Sequence, residues 1–331
     1  MRLIKFLLSW LLVIAIIVAG AAGYYVLRPL TPPALPFDFS LQPGSSLTGA
    51  AYQMKQAGVL QDAQTFILLG RSLGLAGQIK PGNYQLTQSA SLYELLEMVS
   101  KGRVAQSELT IIEGWTFKQF REALNAAPKL RHDSAALSDS DILQSIGATE
   151  NYPEGLFFPD TYIFPSGSSD LALLKRAYQT MHRHLQESWQ GRDKDLPLES
   201  PYQALILASI VEKETGKARD RGMIASVFIN RLRLGMRLQT DPTVIYGIGD
   251  KYDGNIRKRD LLKDSEYNTY TRYGLTPTPI ALPGRDSLQA VMHPSTSSAL
   301  YFVARGDGTS QFSSSLIEHN RAVNRYQLNI K

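Results

Sequence analysis

The longest hydrophobic pattern in the chain is an uninterrupted apolar run near its N-terminus. Residues 6–27 carry no charged side chain. As an α-helix this run would be about 33 Å long, at about 1.5 Å per residue, and a bilayer core is about 30 Å thick. Arg2 and Lys5 precede the run, and positive charge on that side predicts a cytoplasmic N-terminus. The pattern therefore predicts one membrane-spanning helix.

A cleaved secretory signal peptide is the alternative interpretation of this run. Ala19, Gly20 and Ala21 would form its small-residue cleavage site. The apolar residues continue past that site to the full spanning length, which favours an anchor. We predict that residues 1–28 form a cytoplasmic tip and a single-pass anchor in the cell inner membrane, with the rest of the chain in the periplasm. Nucleic acid is then not an expected partner.

Beyond the anchor, the chain begins with a proline-rich linker and a small module of strands and helices. Residues 29–36 (PLTPPALP) predict a stiff, extended spacer. Residues 37–105 combine short strands with amphipathic helices, and the apolar spacing of residues 91–100 is typical of such a helix. The LQPGSSL and GNY segments of this module resemble LysM-like modules, which bind N-acetylglucosamine polymers. A spacer domain without a ligand of its own is the alternative.

A buried helix that ends in acidic residues is the central feature of residues 106–331. Residues 202–215 (YQALILASIVEKET) place apolar side chains at three- and four-residue spacing, which predicts an α-helix. Glu212 and Glu214 lie in its last turn, just before Gly216. Glu214 continues the apolar stripe, whereas Glu212 lies about 200° away around the helix. The two carboxyls are therefore expected to have different surroundings.

The position of Glu214 on the apolar side makes it a candidate general acid. Burial disfavours the charged carboxylate and raises the pKa, and so it favours the protonated form that can donate a proton. The alternative is that both glutamates are solvated charges at a helix end, balanced by Lys213 and Arg219. Spacing alone leaves these two interpretations open.

Composition and missing motifs reduce the number of reaction classes that fit this chain. The chain has 331 residues, 44% of them hydrophobic, which is enough for two compact domains. Its net charge of +5 suits an anionic polymer or an anionic membrane surface as a partner. Cysteine is absent, and the sequence contains no HExxH, no Gly-x-Ser-x-Gly and no phosphate-binding glycine loop. We therefore predict no metal and no cofactor, and carboxylate chemistry is left as the expectation.

A second acidic segment lies among aromatic residues. Residues 152–165 (YPEGLFFPDTYIFP) contain Glu154 and Asp160 and are too rich in proline for a helix. Aromatic faces with nearby acids suit the apolar faces and the hydroxyls of sugars. We therefore predict Glu154 as a substrate contact. A loop that only fills the core is the alternative.

Five segments together resemble one known family. They are, in chain order, PEGLFFPDTY (153–162), ASIVEKET (208–215), SVFINRLRLGMRLQTDPTVIYG (226–247), YNTY (267–270) and YFVARGDG (301–308). This set is similar to the YceG-like family, the membrane-anchored endolytic murein transglycosylases of the MltG type. The similarity extends over essentially the whole chain after the anchor and is densest between residues 208 and 249.

The resemblance implies a fold and an activity. The expected fold is α+β: a transmembrane helix, the LysM-like module, and a mixed α/β catalytic domain (106–331) with a lysozyme-like catalytic helix. The expected reaction is that of a lyase, which cuts between N-acetylmuramic acid and N-acetylglucosamine inside nascent glycan strands and leaves a 1,6-anhydro-muramoyl end. Such cleavage would terminate glycan elongation. The expected partners are peptidoglycan glycan strands, with peptidoglycan synthases as candidates.

The resemblance also implies roles for individual residues. Glu214 would serve as both acid and base, because Glu214-Thr215 is similar to the Glu-Ser signature of lysozyme-like transglycosylases. Residues 236–249 predict a short strand, an Asp-Pro turn and a short helix. Four residues in the matching motifs are predicted to contact sugar, although each could instead cap or brace a loop: Gln239, Asp241, Tyr267 and Asn268.

Two other function classes remain open at this point. A muramidase-type hydrolase would use a second acid, for which Glu212, Glu154 and Asp160 are the candidates. A non-catalytic cell-wall scaffold would use only the membrane anchor and the LysM-like module.

Overall fold

The structure, a computed structural model, describes residues 2–30, 32, 34–214 and 218–328. Thr215 and Gly216, which the sequence analysis places at the end of the catalytic helix, lie outside the described residues. The described chain is a mixed α+β protein, which confirms the predicted class in its general form.

The chain divides into two compact units. Unit 1 comprises Met1–Ser107 and Ile163–Ser168, and unit 2 comprises Glu108–Tyr162 and Ser169–Lys331. The single domain boundary predicted between residues 105 and 106 stays a prediction. Two strands contribute residues to both units and pair with each other: β3 (Gln106–Thr110) and β4 (Thr161–Pro165).

Unit 1 contains the N-terminal helix and a small α+β module. Its elements are α1 (Arg2–Leu27), β1 (Phe37–Leu41), α2 (Leu47–Gln56), α3 (Ala63–Ser72), β2 (Gly82–Leu86) and α4 (Leu92–Lys101). β1 and β2 are antiparallel, with Phe39 opposite Tyr84 and their rings stacked at 5.3 Å. Ser91 and Glu94 form a capping box that begins α4, and Gly102 ends it at a left-handed φ of 69°. These local signals explain why the predicted elements form where they do.

Helix α1 has the composition of a membrane span. Within the described residues, Phe6–Leu27 is the helix that is long and apolar enough to cross a bilayer. Its large apolar side chains, such as Leu12 and Ile17, are exposed. The helix therefore fits a single-pass membrane anchor.

Unit 2 is mainly helical. Its elements are α5 (Phe117–Ala126), α6 (Asp139–Ile146), α7 (Asp170–Gly191), α8 (Pro201–Glu214), α9 (Ala218–Arg233), α10 (Asp241–Ile248), a 3-10 turn (Gly249–Lys251), α11 (Lys258–Leu262), α12 (Arg285–Met292), the β5–β6 hairpin (Tyr301–Ala304 and Ser310–Ser313) and α13 (Leu316–Tyr326).

The core of unit 2 is built around α8. Every residue from Ala204 to Val211 is buried, and α8 packs against α7, α9, α10 and α12. Burying one large aliphatic side chain contributes about 1.5–3 kcal/mol, so this helix is rigidly held. Ser209 in its middle donates to the Ile206 carbonyl at 2.7 Å and accepts the Ile280 N–H at 2.9 Å, which ties a distant loop to α8.

The short strand predicted in residues 236–249 is wrong. Residues 236–240 are irregular, and α10 begins directly at Asp241 with Pro242 in its first turn. Gln239 has a φ of +52°, a left-handed conformation that a strand does not contain. The alternation of apolar and polar residues in this segment does not indicate that Gln239 adopts a left-handed conformation.

Candidate active site

Glu214 is the last residue of α8, and its carboxyl is partly buried. The Thr240 hydroxyl donates a short hydrogen bond to its Oε1 atom. Desolvation raises the pKa of Glu214 to about 6; the Thr240 bond opposes this rise, and repulsion from Asp241 adds to it. A carboxyl with this pKa is substantially present in both protonation states near neutral pH, as acid and base catalysis require.

Glu212 has a different set of partners. Its Oε2 atom accepts the Gly284 N–H at 2.9 Å and the Ser287 hydroxyl at 2.7 Å. Gly284 is the N-cap of α12, so the negative carboxylate lies where the helix dipole favours it. The Arg221 guanidinium lies 3.8 Å from the other oxygen. Glu212 therefore joins α8 to α12 through Oε2, which is already hydrogen-bonded to two protein groups.

Thr240 is held in place by a group of threonines. It is buried, and its N–H donates to the Thr269 Oγ1 atom at 3.1 Å. The Thr243 hydroxyl donates to the Thr240 carbonyl at 2.8 Å and lies 2.9 Å from the Thr269 hydroxyl. The Gln239 N–H donates to the Thr269 carbonyl at 3.1 Å. Gln239 and Thr240, the last two residues before α10, are thus both bonded to Thr269.

Asp241 is the like-charged neighbour of Glu214. It is the first residue of α10, and its Oδ1 atom accepts the Tyr270 hydroxyl at 2.5 Å. Burial, followed by that bond and by the charges of Asp241 and Glu214, raises the pKa of Tyr270, so its phenol stays a donor. Asp241 therefore lies where it can influence the proton on Glu214.

Asn268 is a buried brace. Its side-chain amide donates toward the carbonyls of Asp260, Leu261 and Lys263, at 3.3, 3.1 and 2.7 Å. Its side-chain oxygen accepts the Tyr270 N–H at 2.8 Å. The amide thus holds the loop that carries Tyr270. Of the two roles that the sequence analysis leaves open for Asn268, these bonds favour the bracing role.

A cleft of about 940 Å³ lies in unit 2 beside the end of α8. Lys213 and Pro242, the sequence neighbours of Glu214 and Asp241, line it together with Tyr267 and Glu154. The volume lies within the range of about 300–1,000 Å³ typical of ligand sites.

Glu154 is a second carboxyl with an altered pKa. It is buried; its oxygens accept the Phe117 N–H at 2.9 Å and the Tyr246 hydroxyl at 3.1 Å. Burial raises the pKa of Glu154 to about 7, although these hydrogen bonds oppose the rise. Asp160 differs, because it is exposed and its Oδ1 atom accepts the neighbouring Thr161 N–H at 2.7 Å.

The structure brings together Glu214, Asp241 and Gln239 at one end of α10, and Tyr267 with Glu154 in the cleft wall. Gln239 is exposed, and its side-chain oxygen accepts from Arg231 at 3.3 Å.

Three residues with direct contacts to this group were not predicted from the sequence: Thr240, Tyr246 and Tyr270. All three lie inside the segments that carry the family resemblance, and membership in those segments is the sequence feature that could have identified them. No cluster of metal-binding side chains occurs among the residues that the structure describes.

Comparison with known proteins identifies relatives along most of the chain. The model of the YceG-like family matches residues 39–325. An endolytic murein transglycosylase of Bacillus subtilis is 30% identical over 308 residues, which cover 87% of this chain and 84% of the relative. The crystal structure of a YceG-like protein from Listeria monocytogenes has a TM-score of 0.56 and 29% identity, and the match covers 86% of this chain and 97% of that one.

A longer relative also matches. An endolytic murein transglycosylase of Streptococcus pneumoniae is 28% identical over 361 aligned positions, which include 96% of this chain. The chain spans 64% of the length of that relative. The resemblance drawn from the sequence motifs is confirmed by these matches.

Proposed function

The chain belongs to the YceG-like family, and from that premise we propose that it is a peptidoglycan lytic transglycosylase that cuts inside glycan strands. The relatives from Bacillus subtilis and Streptococcus pneumoniae are endolytic murein transglycosylases. The observation that carries the proposal is the position of Glu214, a carboxyl with a pKa of about 6 at the end of a buried helix, whose sequence neighbour Lys213 lines a large cleft.

In the proposed reaction Glu214 acts twice. The protonated carboxyl donates its proton to the glycosidic oxygen as the bond from that oxygen to the muramoyl anomeric carbon breaks. The 6-hydroxyl oxygen of the same muramoyl residue then bonds to the anomeric carbon, and its proton passes to the Glu214 carboxylate. Atoms and charge balance without water, and the products are a 1,6-anhydro-muramoyl end and a free 4-hydroxyl on N-acetylglucosamine.

One carboxyl is sufficient for this reaction because the nucleophile belongs to the substrate. A hydrolase would normally need a second carboxylate to activate water or to attack the sugar. Of the sequence candidates for that second acid, Glu212 is bonded to α12 and Glu154 to Phe117 and Tyr246, whereas Asp160 is exposed and does not line the cleft. These contacts support the lyase over the muramidase.

The remaining residues have supporting roles in this proposal. Thr240 orients the Glu214 carboxyl, and Asp241 favours its protonated form by repulsion. Gln239, Asp241 and Tyr267 are the proposed direct sugar contacts: Asp241 lies near the Glu214 carboxyl, Gln239 precedes Thr240, and Tyr267 lines the cleft. Asn268 contributes by holding the loop that carries Tyr270.

We place the active domain in the periplasm, with the N-terminus in the cytoplasm and α1 in the inner membrane. The supporting observations are the apolar length of Phe6–Leu27 and the basic residues before it. Residues 37–105 are proposed as a LysM-like module that contacts glycan, and residues 106–331 as the catalytic domain. Peptidoglycan synthases that make the nascent strands are the proposed protein partners.

Product analysis tests the function. Digestion of uncrosslinked glycan strands by the unmodified protein should leave anhydro-muramoyl ends, which are one water lighter than reducing ends. Reducing muramic ends alone would show a muramidase. An absence of cleavage products would instead favour a scaffold.

A further inference from the structure

The wall of the cleft contains a pair of tyrosines, of which Tyr267 is a proposed sugar contact and Tyr246 has no role in the proposed reaction. Tyr246 and Tyr267 have ring centroids 5.0 Å apart, with the ring planes tilted by 59°. Both line the cleft, and both side chains are only partly buried. A face of this aromatic pair is therefore available to a ligand.

Helix α10 links this pair to the catalytic carboxyl. The helix begins at Asp241, which repels Glu214, and Tyr246 follows five residues later. At about 1.5 Å per residue, Tyr246 lies about 7.5 Å further along the helix axis. Tyr246 is also rotated about 140° around the helix from Asp241, whereas Pro242, the residue after Asp241, lines the cleft as Tyr246 does.

Glu154 holds the Tyr246 ring. The Tyr246 hydroxyl donates to Oε2 of Glu154 at 3.1 Å, and Oε1 accepts the backbone N–H of Phe117, the first residue of α5, at 2.9 Å. Glu154 is buried, so its carboxyl is fixed by these bonds. Thr278 holds Tyr267, with the two hydroxyls 2.8 Å apart, and also hydrogen-bonds the Tyr246 hydroxyl. Both rings are thus held by their hydroxyl ends while they line the cleft.

The rim of the cleft is polar. Gln119, Glu122, Lys118 and Asp250 line it, and the Lys118 ammonium donates to Asp250 at 2.6 Å. An apolar ring surface surrounded by hydrogen-bonding groups matches a sugar, which has an apolar C–H face and polar hydroxyl and acetamido edges.

We infer that Tyr246 and Tyr267 form a stacking subsite for one sugar of the glycan strand, and that Glu154 is the residue that positions Tyr246. The inference rests on the proposed function, because it names the part of the cleft that holds the same substrate. It assigns Glu154 to positioning rather than to proton transfer with the sugar. The raised pKa of Glu154 is consistent with this assignment, since a neutral carboxyl still bonds a phenol.

Binding measurements in an inactive background test the subsite. The probe is an uncrosslinked glycan tetrasaccharide of alternating N-acetylglucosamine and N-acetylmuramic acid, titrated calorimetrically into the full chain carrying Glu214→Gln. Adding Tyr246→Ala should weaken binding about tenfold, because the stacking face is lost. Tyr246→Phe keeps the ring and should weaken binding only about two- to threefold. Tyr326→Ala, at the end of α13, is the matched control and should not change the affinity.

Kinetics on the active protein test the role of Glu154. Glu154→Ala should raise KM severalfold with little change in kcat, because the ring loses its support. Glu154→Gln should restore KM to within about threefold, since an amide can bond both Phe117 and Tyr246. Loss of kcat in Glu154→Gln would overturn the positioning role, and an unchanged affinity in Tyr246→Ala would overturn the subsite. If Glu154→Ala does not fold, the comparison of Tyr246→Ala with Tyr246→Phe still tests the subsite.

The two proposals can fail separately. A protein that binds the tetrasaccharide through Tyr246 but releases no cleaved glycan would contradict the proposed function and keep the subsite. A protein that cuts glycan normally with Tyr246→Ala would contradict the subsite and keep the function.

Discussion

The Thr240 hydroxyl donates a hydrogen bond to Oε1 of Glu214, so the residue before α10 controls the carboxyl at the end of α8. A bond to the carboxylate favours its charged form, whereas burial favours the neutral form. The two effects oppose each other, and the resulting pKa is about 6. Thr240 is itself hydrogen-bonded to Thr269, so Thr269 is connected to the Glu214 carboxyl through Thr240.

Replacing Glu214 by Gln should abolish glycan cleavage. The amide keeps the shape of the side chain but can neither donate nor take the proton at the glycosidic bond, so the rate should fall by at least about 10²–10⁴-fold. Quantified anhydro-muramoyl ends give the rate, and circular dichroism checks the fold. Asp160→Asn, an exposed acid, serves as the control. Full activity in Glu214→Gln would remove this residue from the mechanism.

Replacing Thr240 by Val should shift the pH dependence of kcat. The hydroxyl bond lowers the pKa of Glu214, so its loss raises that pKa, and the protonated acid persists to higher pH. The alkaline limb of the kcat profile should therefore move up by roughly one pH unit, with a lower maximal rate from poorer orientation. Thr240→Ser should restore the limb. An unshifted limb in the Val variant would contradict the role assigned to this bond.

Replacing Glu154 by Gln should stabilise the protein at alkaline pH. Burial raises the pKa of Glu154 from 4.5 to about 7, so the folded state binds this proton more tightly than the unfolded state does. The neutral carboxyl keeps its full contribution below about 4.5, and that contribution is lost as the pH rises through about 7. Denaturant unfolding should show a gain for Gln that is larger at pH 8 than at pH 5, by at most about 3 kcal/mol. Equal gains at both values would contradict the raised pKa.

Replacing Glu212 by Ala should reduce stability more than catalysis. The change leaves the Gly284 N–H and the Ser287 hydroxyl without their acceptor and removes the carboxylate near Arg221. Loss of these partly buried bonds should cost about 1–3 kcal/mol in unfolding free energy. Ser287→Ala, which removes only one donor, should cost less. A strong loss of kcat at unchanged stability would instead make Glu212 a participant in the chemistry.

Local sequence signals were sufficient for much of the fold. The apolar run of Phe6–Leu27, the capping box at Ser91, and the apolar spacing of α8 are all properties of neighbouring residues. The short strand predicted before Asp241 failed because Gln239 has a left-handed φ, and a glutamine does not signal that conformation.

Residue spacing is enough to show that Glu214 follows the apolar stripe of α8, that Glu212 does not, and that the family motifs surround them. The hydrogen-bond partners, Thr240 for Glu214 and Tyr246 for Glu154, become known only from the folded chain. Those partners are 26 and 92 residues apart in the chain. Helical periodicity reports only which side of its own helix a residue occupies. Hydrogen-bond partners and desolvation depend on which other elements pack there, and these two properties set the pKa of each carboxyl.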